Sequence, residues 1–351
     1  MKSYSITSID STQYLADVFA RYEKIVWLGS LSFEERCKGS LIELDENMLK
    51  IDMGFALNYS TTLSPILEDQ VQRKKNWQYF ESLDNKVFAQ HIKQYPISSH
   101  SFQELQQCLD GILLETKANL FLFDVTCMSK IHTIALAAYL ANAESDFNWV
   151  VGYTIPENYP NLDISSKAPG WKDIIIAPLA ETAWLFYESH SRGIVLPGHE
   201  SNRLVVALAE LEPSGGLIMI ADTPRRPDLR LLSERNNKKI IRQLTSMRSR
   251  NWLTEILSLE DFDLLASRVA SEIKMAHKFD APVILFPFGP KSLIFSAAYH
   301  LCCEYPEASW FVYPIPSSYD VTYSEGIQKT YWLSPHGSPN IELTGQGALS
   351  F

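Results

Sequence analysis

Two lysines, Lys130 and Lys291, each stand where a buried apolar run turns polar and a helical pattern begins. The first closes "DVTCMSK" (124–130), which gathers the carboxylate of Asp124, the hydroxyls of Thr126 and Ser129 and the ammonium of Lys130. The second closes "FPFGPK" (286–291). A helix start offers unpaired N–H groups and a partial positive charge, which suit an anion and disfavour a cation. A lysine that recurs there serves a negatively charged ligand better than it serves the helix. Two glycine turns carry related chemistry. "LGSLSFEER" (28–36) supplies Gly29, Ser30, Glu34 and Arg36, and "PGHESNR" (197–203) supplies Gly198, Glu200 and Arg203. Glycine there permits a sharp turn or a close approach of ligand to backbone. Tyr323 and Ser324 follow the last strand pattern and reach the same edge, where an aromatic ring can stack on a base.

The same residues admit plainer roles. Asp124 and Thr126 fit helix caps as well as ligand contacts. Glu34, Glu35 and Arg36 fit a surface ion cluster, as does Arg203 with Glu200. Glu34, Glu35 or Glu200 would also serve as the acid/base group of a hydrolase, provided one lies within reach of a scissile atom. No GxSxG elbow, HExxH, GxxxxGK[ST] or kinase motif occurs, and no His or Cys pair stands at metal-ligand spacing. Nothing in the sequence asks for a metal or a cofactor.

The elements that must position these groups repeat. Anchored on Lys130 and Lys291, Trp149 and Trp310 fall in register without a gap, each 19 residues on, after a shared "AAY" (137–139 and 297–299). Upstream, 24–44 pairs with 193–211 as a short strand, a glycine, an acidic-then-arginine turn and an apolar-periodic helix. Strands alternating with helices imply mostly parallel sheets covered by helices. The expected fold is α/β, with two tandem Rossmann-like units related by internal duplication. The first half covers 1–165, a linker or seam 166–192, and the second half 193–351 with a C-terminal tail. In such sheets ligands lie beyond the carboxyl ends of the strands, where both lysines fall.

Composition sets outer bounds. The chain has 351 residues, 46% apolar and 21% charged, as in an ordinary globular protein. Its N-terminus lacks the order of a signal peptide, and the most apolar stretch, 131–141, holds His132 and is too short to span a bilayer. Five cysteines without metal or redox spacing read as reduced thiols in a cytoplasm. The net charge of −10 argues against general DNA binding. It is uneven: residues 223–250 carry nine Lys/Arg against two Asp/Glu, so that segment is +7 and the remainder −17. Both a solvated helix face and a local anion site fit that segment.

"DVTCMSK" has the form [D/N]-x-[S/T]-x-x-x-[K/R] at a strand end, and in this it resembles the signature of CARF domains, the Rossmann-like sensors associated with CRISPR systems. A chain with two fused halves of this kind resembles the SAVED sensor module of bacterial anti-phage systems. The resemblance implies a cyclic oligonucleotide held between the halves by loop amides, hydroxyls and basic side chains. Asp124, Thr126 and Lys130 match the motif; Lys291 takes the corresponding basic position, and Gly29–Ser30 match the small/hydroxyl turn after the first strand. In the second half only the lysine carries across. Members of these families usually bear a fused effector, whereas only residues 1–23 and 336–351 flank the expected strands here. The expectation is therefore a nucleotide sensor in antiviral defence that signals to a separate effector chain. Two alternatives are a nucleotide-acting hydrolase (a phosphodiesterase or glycosidase) of the same fold, and a scaffold subunit whose contact surface is the aromatic-rich segment 317–335.

Overall fold

The computed structural model describes residues 6–9, 12–59, 67–143, 147–159, 170–180, 183, 190–199, 201–223, 226–246, 251–317 and 324–335. The chain opens with β1 (Ile6–Ile9) and α1 (Thr12–Phe19). It continues through β2 (Ile25–Leu31), α2 (Gly39–Glu46), β3 (Met53–Asn58), α3 (Leu67–Glu81) and β4 (Ile92–Pro96). Then come α4 (Phe102–Thr116), β5 (Leu120–Asp124), α5 (Lys130–Asn142), β6 (Asn148–Ile155) and β7 (Trp171–Pro178). The pattern restarts with β8 (Arg192–Leu196), α6 (Ser201–Leu211), β9 (Gly215–Asp222), α7 (Pro227–Ser246) and β10 (Trp252–Ser258). It ends with α8 (Phe262–Phe279), β11 (Val283–Pro287), α9 (Lys291–Glu304), β12 (Ser309–Pro316) and β13 (Lys329–Pro335).

Two sheets result, in the orders β1-β13-β6-β5-β2-β3-β4 and β10-β9-β8-β11-β12-β7. Each contains five parallel strands in the same order, third-second-first-fourth-fifth: β4-β3-β2-β5-β6 in one and β10-β9-β8-β11-β12 in the other. The fold is thus two tandem Rossmann-like units, as the repeat implied. The central strands "LFLFD" and "VILFP" are buried along their whole length, the usual state of parallel strands covered on both faces.

The halves exchange a strand. β7, which follows the first unit in sequence, pairs antiparallel with β12 of the second. β13, which follows the second unit, pairs antiparallel with β6 of the first, and β1 lies antiparallel on its far side. The stretch 166–192, expected as a seam, therefore contributes a strand to the second sheet. The β13 part of the segment 317–335 is corrected as well: the scaffold reading offered that segment as an exposed contact surface, but Tyr331 and Trp332 are buried in the first half, while 318–323 lie outside the described residues. The apolar side chains of β13 fill that sheet's core instead of facing solvent.

One apolar core runs through both halves. α5 and α9 pack on each other across the seam. Trp149 sets its ring edge-on against Phe295 and Tyr299, with centroids 5.7 and 5.3 Å away, and Phe102 stacks on Phe311 at 5.4 Å. A second cluster covers the other face of the first sheet and takes in Leu15, Trp27, Phe80, Phe88 and Trp332. The ring of Trp332 fills the space above Gly152, where an added Cβ would come within 2.9 Å of it. Removal of a fully buried tryptophan costs about 3–5 kcal/mol. Trp332→Ala is expected to lower the stability of the first half by that amount in chemical denaturation. A loss below about 1 kcal/mol would mean that the exchanged strand is peripheral to the core.

Candidate functional site

The carboxyl ends of β2, β5, β8 and β11 converge at the seam, and α5 and α9 start there. β5 ends at Asp124, whose side chain turns inward. Its Oδ1 accepts the Thr126 N–H at 2.9 Å and its Oδ2 accepts the Ser40 hydroxyl, which itself accepts Trp27 Nε1–H at 3.1 Å. Burial pushes the Asp124 carboxyl up, while these donors and the Lys291 ammonium pull it back. Thr126 is equally enclosed, and its hydroxyl accepts the Thr154 N–H at 2.8 Å. Asp124 and Thr126 thus shape the turn between β5 and α5. Ser129 caps α5: its Oγ accepts the His132 N–H at 3.1 Å and donates to the Ser99 carbonyl at 2.7 Å.

The two lysines cross. Lys130, the first residue of α5, donates from Nζ to the carbonyl of Phe288 in the second half at 2.6 Å. Lys291, the first residue of α9, donates to the carbonyl of Thr126 in the first half at 2.6 Å. Each helix start therefore lends its ammonium to the other unit. Burial lowers the pKa of Lys291, and the Arg36 guanidinium nearby lowers it further. Lys130 lies 5.8 Å from the ring centre of Phe288 and 6.0 Å from that of Tyr313, and Arg203 lies 6.0 and 5.5 Å from the same two rings. Arg203 also donates to the Tyr313 hydroxyl at 3.0 Å and to the Pro314 carbonyl at 3.3 Å. A pair of aromatic faces thus holds two cations at the second half's edge.

At the first half's edge, Glu34 Oε2 accepts Arg36 at 2.7 and 2.8 Å and the Ser324 hydroxyl at 2.5 Å. Burial raises the Glu34 carboxyl, but Arg36, Lys291 and Ser324 together bring it below its ordinary value. A carboxyl held ionised in this way is a poor proton donor, and of the acid/base roles the hydrolase reading offered it only that of a base is compatible with this state. Glu35 is exposed and bonds Lys38 at 3.0 Å. Cys127, beside this group, has its thiol pushed well up by burial and is not an activated nucleophile.

Gly29 and Ser30, expected in the turn after the first strand, lie within β2 and pair with Ala56 and Leu57 of β3. Gly29 makes room for the Trp27 indole, which a Cβ would meet at 2.3 Å. Gly198 does sit in a turn, and its Cα presses on the second half's own loop: a Cβ would lie 2.2 Å from the Phe288 carbonyl oxygen, the acceptor of Lys130. Glu200 and Tyr323 lie outside the described residues. Among the described residues no group of His, Cys, Asp and Glu could hold a metal ion. The five cysteines are free, and no helix among the described residues is long and apolar enough to cross a membrane.

Several participants escaped sequence reasoning. Phe288 and Tyr313 supply the aromatic seat, and two backbone carbonyls supply the lysine acceptors. Tyr159 packs edge-on against His199 at 5.4 Å, and Arg226 donates to the Glu157 carbonyl, so residues after β6 reach over to the second half. A recurring aromatic in "FPFGPK" was a weak signal for Phe288. Carbonyl acceptors leave none.

No family model matches the chain, and no curated protein matches it by sequence. Among solved structures, it is similar to a Type III CRISPR defence DNA nuclease activated by cyclic oligoadenylate, with a TM-score of 0.52 and 8% identity. That similarity covers 82% of this chain and 65% of the nuclease chain, so the protein spans about two thirds of the nuclease's length. At such identity the shared property is the fold. A universal stress protein from Archaeoglobus fulgidus DSM 4304 aligns with a TM-score of 0.23, 10% identity and coverage of 82% and 95%.

Two expectations follow from the local geometry. Gly198→Ala must displace the Phe288 carbonyl, because backbone cannot yield as a flexible side chain does. It should destabilise the protein by about 1–3 kcal/mol, read by denaturant titration, and an effect under about 0.5 kcal/mol would show that the contact is slack. His132 is fully buried between the Tyr59 hydroxyl at 3.0 Å and the Ser101 carbonyl at 3.0 Å. Burial lowers its pKa to about 4. The unfolded chain, with a histidine pKa near 6.5, binds the proton first, so stability is complete above that value. It is lost as pH falls through 6.5 towards 4, by roughly 3 kcal/mol. His132→Gln should flatten that part of the stability curve; an unchanged slope would contradict a neutral, buried His132.

Proposed function

We propose that the protein is a sensor of an oligonucleotide signal, a cyclic oligoadenylate or a related cyclic di- or trinucleotide, in antiviral defence, and that it acts on a separate effector chain. The observation that carries this reading is the crossing of Lys130 and Lys291, each bonded to a carbonyl of the opposite unit at the carboxyl ends of the strands. A carbonyl is a neutral acceptor, and a phosphate oxygen is a charged one that binds an ammonium roughly twice as strongly. A ligand with several phosphates on one ring is able to engage both lysines together. As it does so it draws them from the carbonyls that tie the halves. Binding then favours a different relative orientation of the units, which is the differential affinity a switch requires. Arg203, seated on Phe288 and Tyr313, and Arg36 flank the same mouth, with Ser324 and Gly198 beside them.

The ligand class is supported by the nuclease of similar fold, which is activated by cyclic oligoadenylate. The presence of two units in one chain fits a ligand with internal repetition, since each half presents the same lysine. A separate effector is the partner such a receptor would act on.

Isothermal titration against a panel of cyclic di-, tri- and tetra-adenylates and mixed cyclic dinucleotides tests the proposal. One of them should bind, and Lys130→Ala and Lys291→Ala should each weaken it at least about tenfold, the value of one charge-assisted hydrogen bond. The melting temperature should move little by comparison. Absence of binding across the panel, or binding untouched by the double substitution, would remove the reading.

A further inference from the structure

One strongly charged surface lies outside the mouth. α7 buries Leu229, Leu232, Ser233, Asn237 and Leu244 on one side. Its opposite side presents Leu231, 56% exposed, followed by Arg235, Lys238, Lys239 and Arg242, all exposed. The four cations stand at i, i+3, i+4 and i+7, so they form one stripe about 10 Å long. Among the described residues Lys238, Lys239 and Arg242 have no ion-pair partner, whereas Arg230 on the flank of the helix is held by Asp222 and Glu234 at 3.6 Å. The segment 223–250 is +7 in a protein whose remainder is −17.

The helix is also joined to the mouth. Ser233 Oγ and Asn237 Nδ2 donate to the Gly198 carbonyl at 3.1 and 2.8 Å, and Asn236 Nδ2 donates to the His199 carbonyl at 2.8 Å. Gly198 in turn abuts the Phe288 carbonyl that holds Lys130. The Phe288 carbonyl, the Gly198 turn and α7 are thus in direct succession of contact.

We infer that the exposed stripe of α7 docks an acidic helical segment of another protein, with carboxylates one turn apart and an apolar side chain at one end to meet Leu231. That the docked chain is the effector rests on the sensor reading above. A protein segment suits the surface better than nucleic acid does. The chain's net charge of −10 opposes a nucleic acid, whose affinity rests on an overall excess of Lys and Arg. The apolar Leu231 at the end of the stripe has no use in phosphate binding.

Fluorescence anisotropy with two labelled probes tests this: a short helical peptide with glutamates at i, i+4 spacing and leucine at one end, and a short DNA duplex. The peptide should bind the full-length protein, Lys238→Glu/Lys239→Glu should weaken it at least about tenfold through like-charge opposition, and Leu231→Ala should weaken it by a smaller factor. Both variants alter exposed side chains, so their melting temperatures should match the parent. No peptide binding, equal binding by the charge-reversed protein, or tighter binding of the duplex through the same residues would overturn the inference. Nucleotide titrations on the charge-reversed protein separate the two proposals. Loss of peptide binding with nucleotide binding intact supports the docking surface. Nucleotide binding without any peptide binding removes the docking surface alone. Charge-dependent peptide binding by a protein that takes no nucleotide removes the sensor reading alone.

Discussion

The exchange of β7 and β13 is the constraint on which the rest of the molecule depends. Each unit completes its sheet with a strand that follows the other unit in sequence, so neither core closes without its neighbour. Trp332, carried by β13, occupies the first half's core, and Cys302 of α9 sits against the Leu179 carbonyl that immediately follows β7. The units are therefore tied together by main-chain pairing at β7 and β13 and by the packing of α5 on α9. Packed helices have discrete arrangements rather than continuous ones.

Within that frame the charged groups are arranged by burial. Carboxylates that point inward are satisfied by local donors: Asp124 by Ser40 and the Thr126 amide, Glu34 by Arg36 and Ser324. The cations at the mouth are treated differently. Two aromatic rings support Lys130 and Arg203, and neutral carbonyls receive both lysines. Burial and the nearby Arg36 disfavour the charged form of Lys291 while Glu34 and Asp124 favour it, and the balance lowers its pKa. An anion relieves that cost. The seam thus ties the two units through the lysines, and the proposed ligand acts by replacing the carbonyls that receive them.

Much of this was legible in the residues. The ungapped interval from each lysine to its tryptophan revealed the repeat, and the repeat fixed the common strand order. The lysines stood out because a cation at a helix start runs against the helix dipole, and the structure brings both to the seam. The exchange of strands was not, because a β-branched apolar segment pairs equally well with either sheet and its sequence does not name its neighbour. "DIIIAP" and "TYWLSP" therefore read as a seam and a tail. Gly29 was misplaced for a related reason. A glycine near a strand end signals a turn by propensity, but this one is small because Trp27 folds over it. The Asp-x-Thr pattern has no counterpart in the second half because the connection from β11 to α9 spans only 288–290, against 125–129 in the first. The shorter loop brings the Phe288 carbonyl to Lys130 without a side-chain cap.

The central claim is that the crossed ammonium groups exchange a carbonyl for a phosphate. A structure of the protein with a bound cyclic oligoadenylate tests it most directly. It should show Lys130 Nζ and Lys291 Nζ within about 3 Å of phosphate oxygens, with the Phe288 and Thr126 carbonyls released and the units rotated about α5 and α9. A ligand bound elsewhere, or at the mouth with both lysines still on their carbonyls, would contradict it.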